Sequence, residues 1–277
     1  YYRSVLERRA NESAEGAEPA PDVLRKKMLA HAKRAAQRVR EVHDERDLRL
    51  LAALLESQEA WTALGQMLGT TLANPTFATI PLRLLYAESL LNSGQAEQAL
   101  SVLRELGGDR NLPMRALAET GRLLAEAGDL PGAIRMYEHL MSRRGKSGVL
   151  IRGLAVLYLR DDRAAEAVKL LRSAKTSDPR TRFLLARALY LRGSHGAAIK
   201  VLRRLESDES EAAREFWGAS EQILLFAASV AEESGELDSA LRWAEEARRR
   251  APNEAVTANF LGYLLADHNR NLDRAEQ

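Results

Sequence analysis

Between Ile80 and Pro179 the chain repeats itself every 34 residues, and this period limits its possible folds more than any other feature. Gly94-Gln95-Ala96-Glu97-Gln98-Ala99, Gly128-Asp129-Leu130-Pro131-Gly132-Ala133 and Asp162-Arg163-Ala164-Ala165-Glu166-Ala167 align under one another. Ala99, Ala133 and Ala167 are spaced by 34 and 34, and four residues after each stands a bulky one: Leu103, Tyr137 or Leu171. Twelve residues before each comes another small residue: Ala87, Gly121 or Ala155. A period of this size with helical apolar spacing inside it describes helix pairs that bury their apolar faces only by stacking on their neighbours. The regular units start near Ile80, Met114 and Gly148. Each is an apolar helix A, a turn at Gly94, Gly128 or Asp162, and an apolar helix B. Gly, Asn and Asp suit such turns because helices often end in a left-handed residue. Pro179 is read as the stop that closes the third unit.

Outside this stretch the spacing loosens. Ala198 follows Ala167 by 31, Ala240 follows Ala198 by 42, and Ala275 follows Ala240 by 35. The extra residues of the fifth unit include Ser207-Asp208-Glu209-Ser210-Glu211, and the stretch from Ala212 to Trp217 is predicted to lengthen its helix A by two turns. Upstream, Glu45 to Glu56 and Gln58 to Leu72 form a degenerate pair with no Gly at the turn, in which Ala60 is aligned with Ala99. Asp22 caps a basic amphipathic helix running to about Val42, with Arg25, Lys26, Lys27, Lys33, Arg34, Arg38 and Arg40 on its polar side. Residues 1–21 read as the end of an earlier helix followed by an acidic, Pro-containing linker. The expected organisation is therefore 1–21 helix tail and linker, 22–79 basic helix and degenerate repeat, and 80–277 about five full repeats with a truncated sixth.

The chemistry of the chain points away from catalysis. No Cys is present, so disulfides and thiolate metal sites are excluded. The five His belong to no H-E-x-x-H motif, and neither a phosphate-cradling Gly-rich loop nor a G-x-S-x-G elbow occurs. Glu232-Glu233 and Glu245-Glu246 are adjacent helix positions and point apart. No catalytic residue, cofactor or metal site is expected. A net charge of +2 is too small to imply a polyanionic partner for the whole chain. No apolar run reaches the roughly 18 residues of a membrane span. The chain opens on Tyr1 rather than Met and ends inside a helical pattern, so a fragment is expected, either cytoplasmic or periplasmic. Arg far outnumbers the seven Lys, as in a GC-rich bacterial genome.

The repeat resembles the tetratricopeptide family, whose pattern is W-x2-L-G-x2-Y, then A-x3-F, then P. Leu261-Gly262-x2-Leu265 matches its first half, Ala133-x3-Tyr137 its second, and Ala240-x3-Ala244 continues to Pro252. The Trp position instead holds Arg83, Leu117, Ile151, Arg182 and Leu224. The resemblance implies an all-α, right-handed superhelical solenoid of antiparallel helix pairs, working as a non-catalytic scaffold or adaptor. In this family helix A lines a concave groove. The groove positions it implies are Arg115, Glu119 and Arg122, then Arg152, then Arg180, Phe183, Arg187 and Tyr190, then Phe226, and finally Asn259, Phe260 and Tyr263. That groove would be basic in the middle and aromatic towards its C-terminal end, suited to a protein or peptide with acidic residues beside apolar anchors. Leu84, Glu88 and Glu119 stand where the chaperone-tail clamp of some members needs Lys and Asn, which disfavours that specialised role. Two other readings stand beside it. One is nucleic-acid or anionic-surface binding through residues 22–42, weakened by the lack of interleaved aromatics; the other is a structural array that self-associates.

Overall fold

The computed structural model describes residues 26–27, 29–32, 34, 45–174 and 176–268, and among them every regular element is helical. Helix α1 (Glu45–Ser57) is followed by α2 (Trp61–Thr71), and a 3-10 turn at Pro75–Phe77 leads to α3 (Ile80–Asn92) and α4 (Ala96–Gly107). Next come α5 (Met114–Glu126), α6 (Leu130–Arg144), α7 (Gly148–Arg160) and α8 (Ala164–Ser173). The series continues with α9 (Pro179–Leu191), α10 (His195–Glu206) and α11 (Glu211–Gly218). It closes with α12 (Glu221–Glu233), α13 (Leu237–Arg250) and α14 (Ala255–Asp267).

Two compact units divide the chain, Tyr1–Leu140 and Met141–Gln277. Within the first, α2 packs on α3, and α3 packs on both α4 and α5. Within the second, α8 packs on α9, α10 on α12 and α13 on α14, while the A helices α7 and α9 also touch. In each unit, then, helix B lies against the A helix of its own repeat and that of the next. This is the packing of a tetratricopeptide-like helical solenoid.

One hydrogen-bond pattern fixes the register of the repeats. After the first helix of each pair, one residue adopts positive φ: Glu59, Gly94, Gly128, Asp162, Gly193 or Gly235. The next N–H then donates to a carbonyl five residues back. Ala60 reaches Leu55, Gln95 Leu90, Asp129 Leu124, Arg163 Tyr158, Ser194 Leu189 and Glu236 Ala231, all at 2.8–2.9 Å. This bond satisfies a carbonyl that the helix end leaves open, and it turns the chain back on itself. Five residues after each left-handed residue comes a fully buried side chain: Leu64, Ala99, Ala133, Ala167, Ala198 or Ala240. Twelve before that lies its buried partner on helix A: Ala52, Ala87, Gly121, Ala155, Ala186 or Ala228. Small residues there let the helices approach closely. At Gly121 the approach is close, since an added Cβ would lie 3.1 Å from Met136 Cβ and from the Tyr137 ring.

Three expectations change. Leu64, not Ala60, holds the position of Ala99, so the first pair is a regular repeat spaced by 35 whose turn residue is Glu59 (φ 52). Pro179 does not close a unit but opens α9 at its first position, where its missing N–H costs nothing and Asp178 caps the helix by accepting from Thr181 N–H. The inserted residues of the fifth unit do not lengthen helix A. They form the separate helix α11, because Ser220 is extended (φ −156, ψ 138) and its hydroxyl accepts from Gln222 N–H to start α12 anew.

Of the basic helix expected at 22–42, Lys26, Lys27, residues 29–32 and Arg34 are described and helical, with Ala32 buried beside Leu48, Ala52 and Leu55. The linker 1–21, the remainder of that helix and the sixth unit from residue 269 onward lie outside the described residues.

Candidate functional site

The four candidate positions on α9 form one stripe by their spacing alone. Arg180, Phe183, Arg187 and Tyr190 are separated by three, four and three residues, which places them on a single helix face. Phe226 on α12 meets this stripe. Its ring stands 5.3 Å from Phe183 and 5.5 Å from Tyr190, edge-on to both. The inserted α11 supplies a fourth ring, with Phe216 at 5.5 Å from Phe183. All four rings are half-buried, so they touch one another and still offer surface to solvent. Edge-to-face contacts of this kind hold aromatic rings at fixed angles.

Helix α11 is pinned from behind, which fixes Phe216. Trp217 packs edge-on to Trp243, a fully buried residue of α13, and the Trp217 carbonyl accepts from Arg250 Nη1 at 3.0 Å. Trp243 in turn donates its indole N–H to Glu206 Oε1 at 2.7 Å. At the C-terminal end of the stripe, Tyr190 donates its hydroxyl to Glu233 Oε1 at 2.5 Å and stacks on His195, whose Nδ1 lies 3.2 Å from Glu233 Oε2. The hydrogen bond to the Glu233 carboxylate, with burial second, pushes the Tyr190 phenol up to about 12. Tyr190 is thus held neutral and fixed in orientation.

The arginines divide into two groups. Arg180 and Arg187 are exposed, and no ion-pair partner faces either among the described residues. Arg152 and Arg122, expected to present free charge, are instead committed internally. Arg152 Nη1 donates to Asp178 Oδ2 at 2.7 Å, the same carboxylate oxygen that caps α9. Burial pushes the Asp178 carboxyl upward, but the Thr181 hydroxyl and N–H together with Arg152 outweigh it and hold the group below its usual range.

In the first unit, Arg122 binds three carboxylates: Glu88 at 2.9 Å, Glu119 at 2.5 Å and Glu126 at 2.6 Å. Their hydrogen bonds, Glu119's foremost, push its guanidinium further up. The expected basic centre at α5 is therefore a site where carboxylates outnumber the arginine. Arg115 is exposed at the start of the same helix. On α14, Asn259 and Tyr263 are exposed and Phe260 is half-buried, and no aromatic partner meets either ring among the described residues.

Phe216, His195 and Glu233 were absent from the candidates read in sequence. The signal for Phe216 was the delay of 42 residues, which marks added structure but not where its side chains point.

The tetratricopeptide repeat model matches residues 81–105 and 179–204, the second of which spans α9 and most of α10. Two stretches of the chain thus match the tetratricopeptide repeat. Solved structures of such proteins share its fold at low identity. The C-terminal part of a TPR repeat-containing protein from Cytophaga hutchinsonii is 13% identical with a TM-score of 0.59, over 83% of this chain and 91% of that one. A tetratricopeptide repeat protein from Parabacteroides merdae is 15% identical with a TM-score of 0.50, over 88% and 95%. MamA from Desulfovibrio magneticus is 16% identical with a TM-score of 0.50, over 63% and 97%. No curated protein matches the chain by sequence. No helix among the described residues is long and apolar enough to cross a membrane.

Proposed function

We propose that this protein is a non-catalytic interaction scaffold whose second unit holds a peptide segment of a partner protein against α9, α11 and α12. The observation that carries the reading is the half-buried ring cluster of Phe183, Phe216, Phe226 and Tyr190, bordered on the same helix face by the exposed Arg180 and Arg187. Fixed rings with open faces suit apolar anchors, and aromatic and Arg side chains dominate the energetics of such contacts. Two guanidiniums without an ion-pair partner among the described residues lie beside the rings and favour carboxylates flanking those anchors. The preferred ligand is accordingly a peptide with one or two large apolar residues next to Asp or Glu.

Selection from a random peptide library displayed on phage tests this directly. Enriched peptides should carry Phe, Leu or Trp beside acidic residues, and their binding should fall at least tenfold in Phe183→Ala and Phe226→Ala, about 1.4 kcal/mol or more. Enrichment of no common pattern, or of one indifferent to both substitutions, counts against the proposal.

A further inference from the structure

Beyond the aromatic face, the C-terminal ends of α12 and α14 bring three ligating groups to one point. Glu232 stands in the last turn of α12, Asp267 ends α14, and His268 follows as its C-cap. Glu232 and Asp267 are 35 residues apart, the spacing from Ala240 to Ala275, so they occupy equivalent places in successive repeats. One ligand atom from each of the three lies within 4.8 Å of the other two. His268 Nε2 is 3.6 Å from Glu232 Oε1 and 3.9 Å from Asp267 Oδ2.

These separations are too long for hydrogen bonds, and none of the three side chains hydrogen-bonds another described residue. Neighbouring Glu233 behaves differently, being taken up by Tyr190 and His195. Glu232 is the side chain for which this matters most, because only 18% of it is exposed. A carboxylate that far from water normally acquires a partner.

Helix electrostatics point the same way from an independent direction. The C-terminal end of a helix carries partial negative charge and favours cations. Yet the last turns of α12 and α14 contain no basic residue, while Glu232, Glu233 and Asp267 add negative charge there. The two negative helix ends thus bring Glu232 and Asp267 together, with His268 as the nearby compensating group among the described residues.

We infer that Glu232, Asp267 and His268 form a site for a divalent transition-metal ion, with Zn2+ the best-fitting class. One imidazole nitrogen and two carboxylate oxygens are ligands Zn2+ accepts, leaving a fourth position for water. Tetrahedral ligands at bonds of about 2.0 Å sit roughly 3.3 Å apart, so the two histidine gaps close by a few tenths of an ångström and the carboxylate pair by at most about 1.5 Å. Because its ligands come from two repeats, the ion would clasp α12 to α14, the A helices of the fifth and sixth units. Sequence motifs miss such a site, since no single helix carries two of its ligands at the i, i+4 spacing of H-E-x-x-H.

Calorimetric titration of the 277-residue chain with ZnCl2 alone provides the test, using wild type, His268→Gln, Glu232→Gln and His195→Gln. Wild type and His195→Gln should bind one Zn2+ per chain with equal affinity. Loss of a direct ligand in either of the other two should weaken binding by roughly a hundredfold, the upper end of what loss of a supporting partner alone costs. No binding by wild type overturns the inference. So does equal binding by all four proteins, which would mean an adventitious ion only. Should a variant lose its helical circular dichroism, wild-type NMR with Co2+ decides. Paramagnetic broadening centred on His268 supports the site, and broadening centred on another histidine refutes it.

Discussion

The Glu88–Arg122 pair separates a structural arginine from a ligand-binding one, and its worth can be worked out from the geometry. The two residues hold equivalent positions 34 residues apart on α3 and α5, and their contact is 2.9 Å long. Two unit charges about 4 Å apart gain roughly 4 kcal/mol at an effective dielectric of 20, before desolvation and side-chain ordering are subtracted. Side-chain exposures of 39% and 28% leave the pair well screened, which places the net coupling near the top of the surface range, about 1 kcal/mol. The pairs with Glu119 and Glu126 are intrahelical and contribute about 0.3–0.5 kcal/mol each. Arg122→Gln should therefore cost about 2 kcal/mol, with Glu88 supplying half of it. A double-mutant cycle with Glu88→Gln, read by hydrogen exchange of α3 and α5 amides, isolates the inter-repeat part. That readout is local, so it does not require both units to unfold together. Raising salt to about 1 M shortens the screening length to about 3 Å and should shrink the coupling markedly. A coupling within about 0.3 kcal/mol of zero, or one indifferent to salt, refutes the reasoning. Peptides selected on the second unit should bind Arg122→Gln as they bind wild type.

Three further outcomes follow from local geometry. Glu59→Gly should stabilise the first helix pair by about 0.5–1 kcal/mol in denaturant titrations, because the left-handed penalty of a non-Gly residue exceeds the added chain entropy of Gly; a loss of stability would contradict the Glu59 register. Ser220→Ala should cost about 1 kcal/mol and speed exchange of the first α12 amides, as expected for a lost N-cap, while unchanged exchange would mean that α11 and α12 need no capped break. Tyr190 has a folded pKa of about 12, above its ordinary value near 10. Its contribution is thus fully present below about pH 10 and is lost as pH rises through 12. Stability of wild type should fall faster than that of Tyr190→Phe across that window, and the substitution should remove one late-titrating phenol from the tyrosinate absorbance.

The repeat was legible because it rests on residue size. Ala99, Ala133, Ala167, Ala198 and Ala240 had to be small where helices cross, and a small residue at fixed spacing is visible in a single chain. The first pair was harder to see, for two physical reasons. Glu59 adopts a left-handed conformation that its residue type disfavours, and Leu64 fills the small position with a large side chain. The break before α12 depends on one serine turning extended, and nothing in the composition of Glu211 to Glu233 marks it more strongly than a helical continuation. In the candidate site, Phe183, Tyr190 and Phe226 could be placed on helix A faces by counting. Whether an arginine there is free could not, because Glu88 reaches Arg122 from the preceding repeat and Asp178 reaches Arg152 from the following one. The sequence names the charges, whereas their pairing is decided by packing between repeats.

In the proposed function, Arg180 and Arg187 choose the charge of a peptide whose apolar anchors sit on the ring cluster. The most direct measurement repeats the peptide selection on the Arg180→Glu, Arg187→Glu double variant. The enriched peptides should keep their large apolar residues and exchange flanking Asp and Glu for Lys and Arg. Recovery of the same acidic peptides by the double variant would contradict the claim.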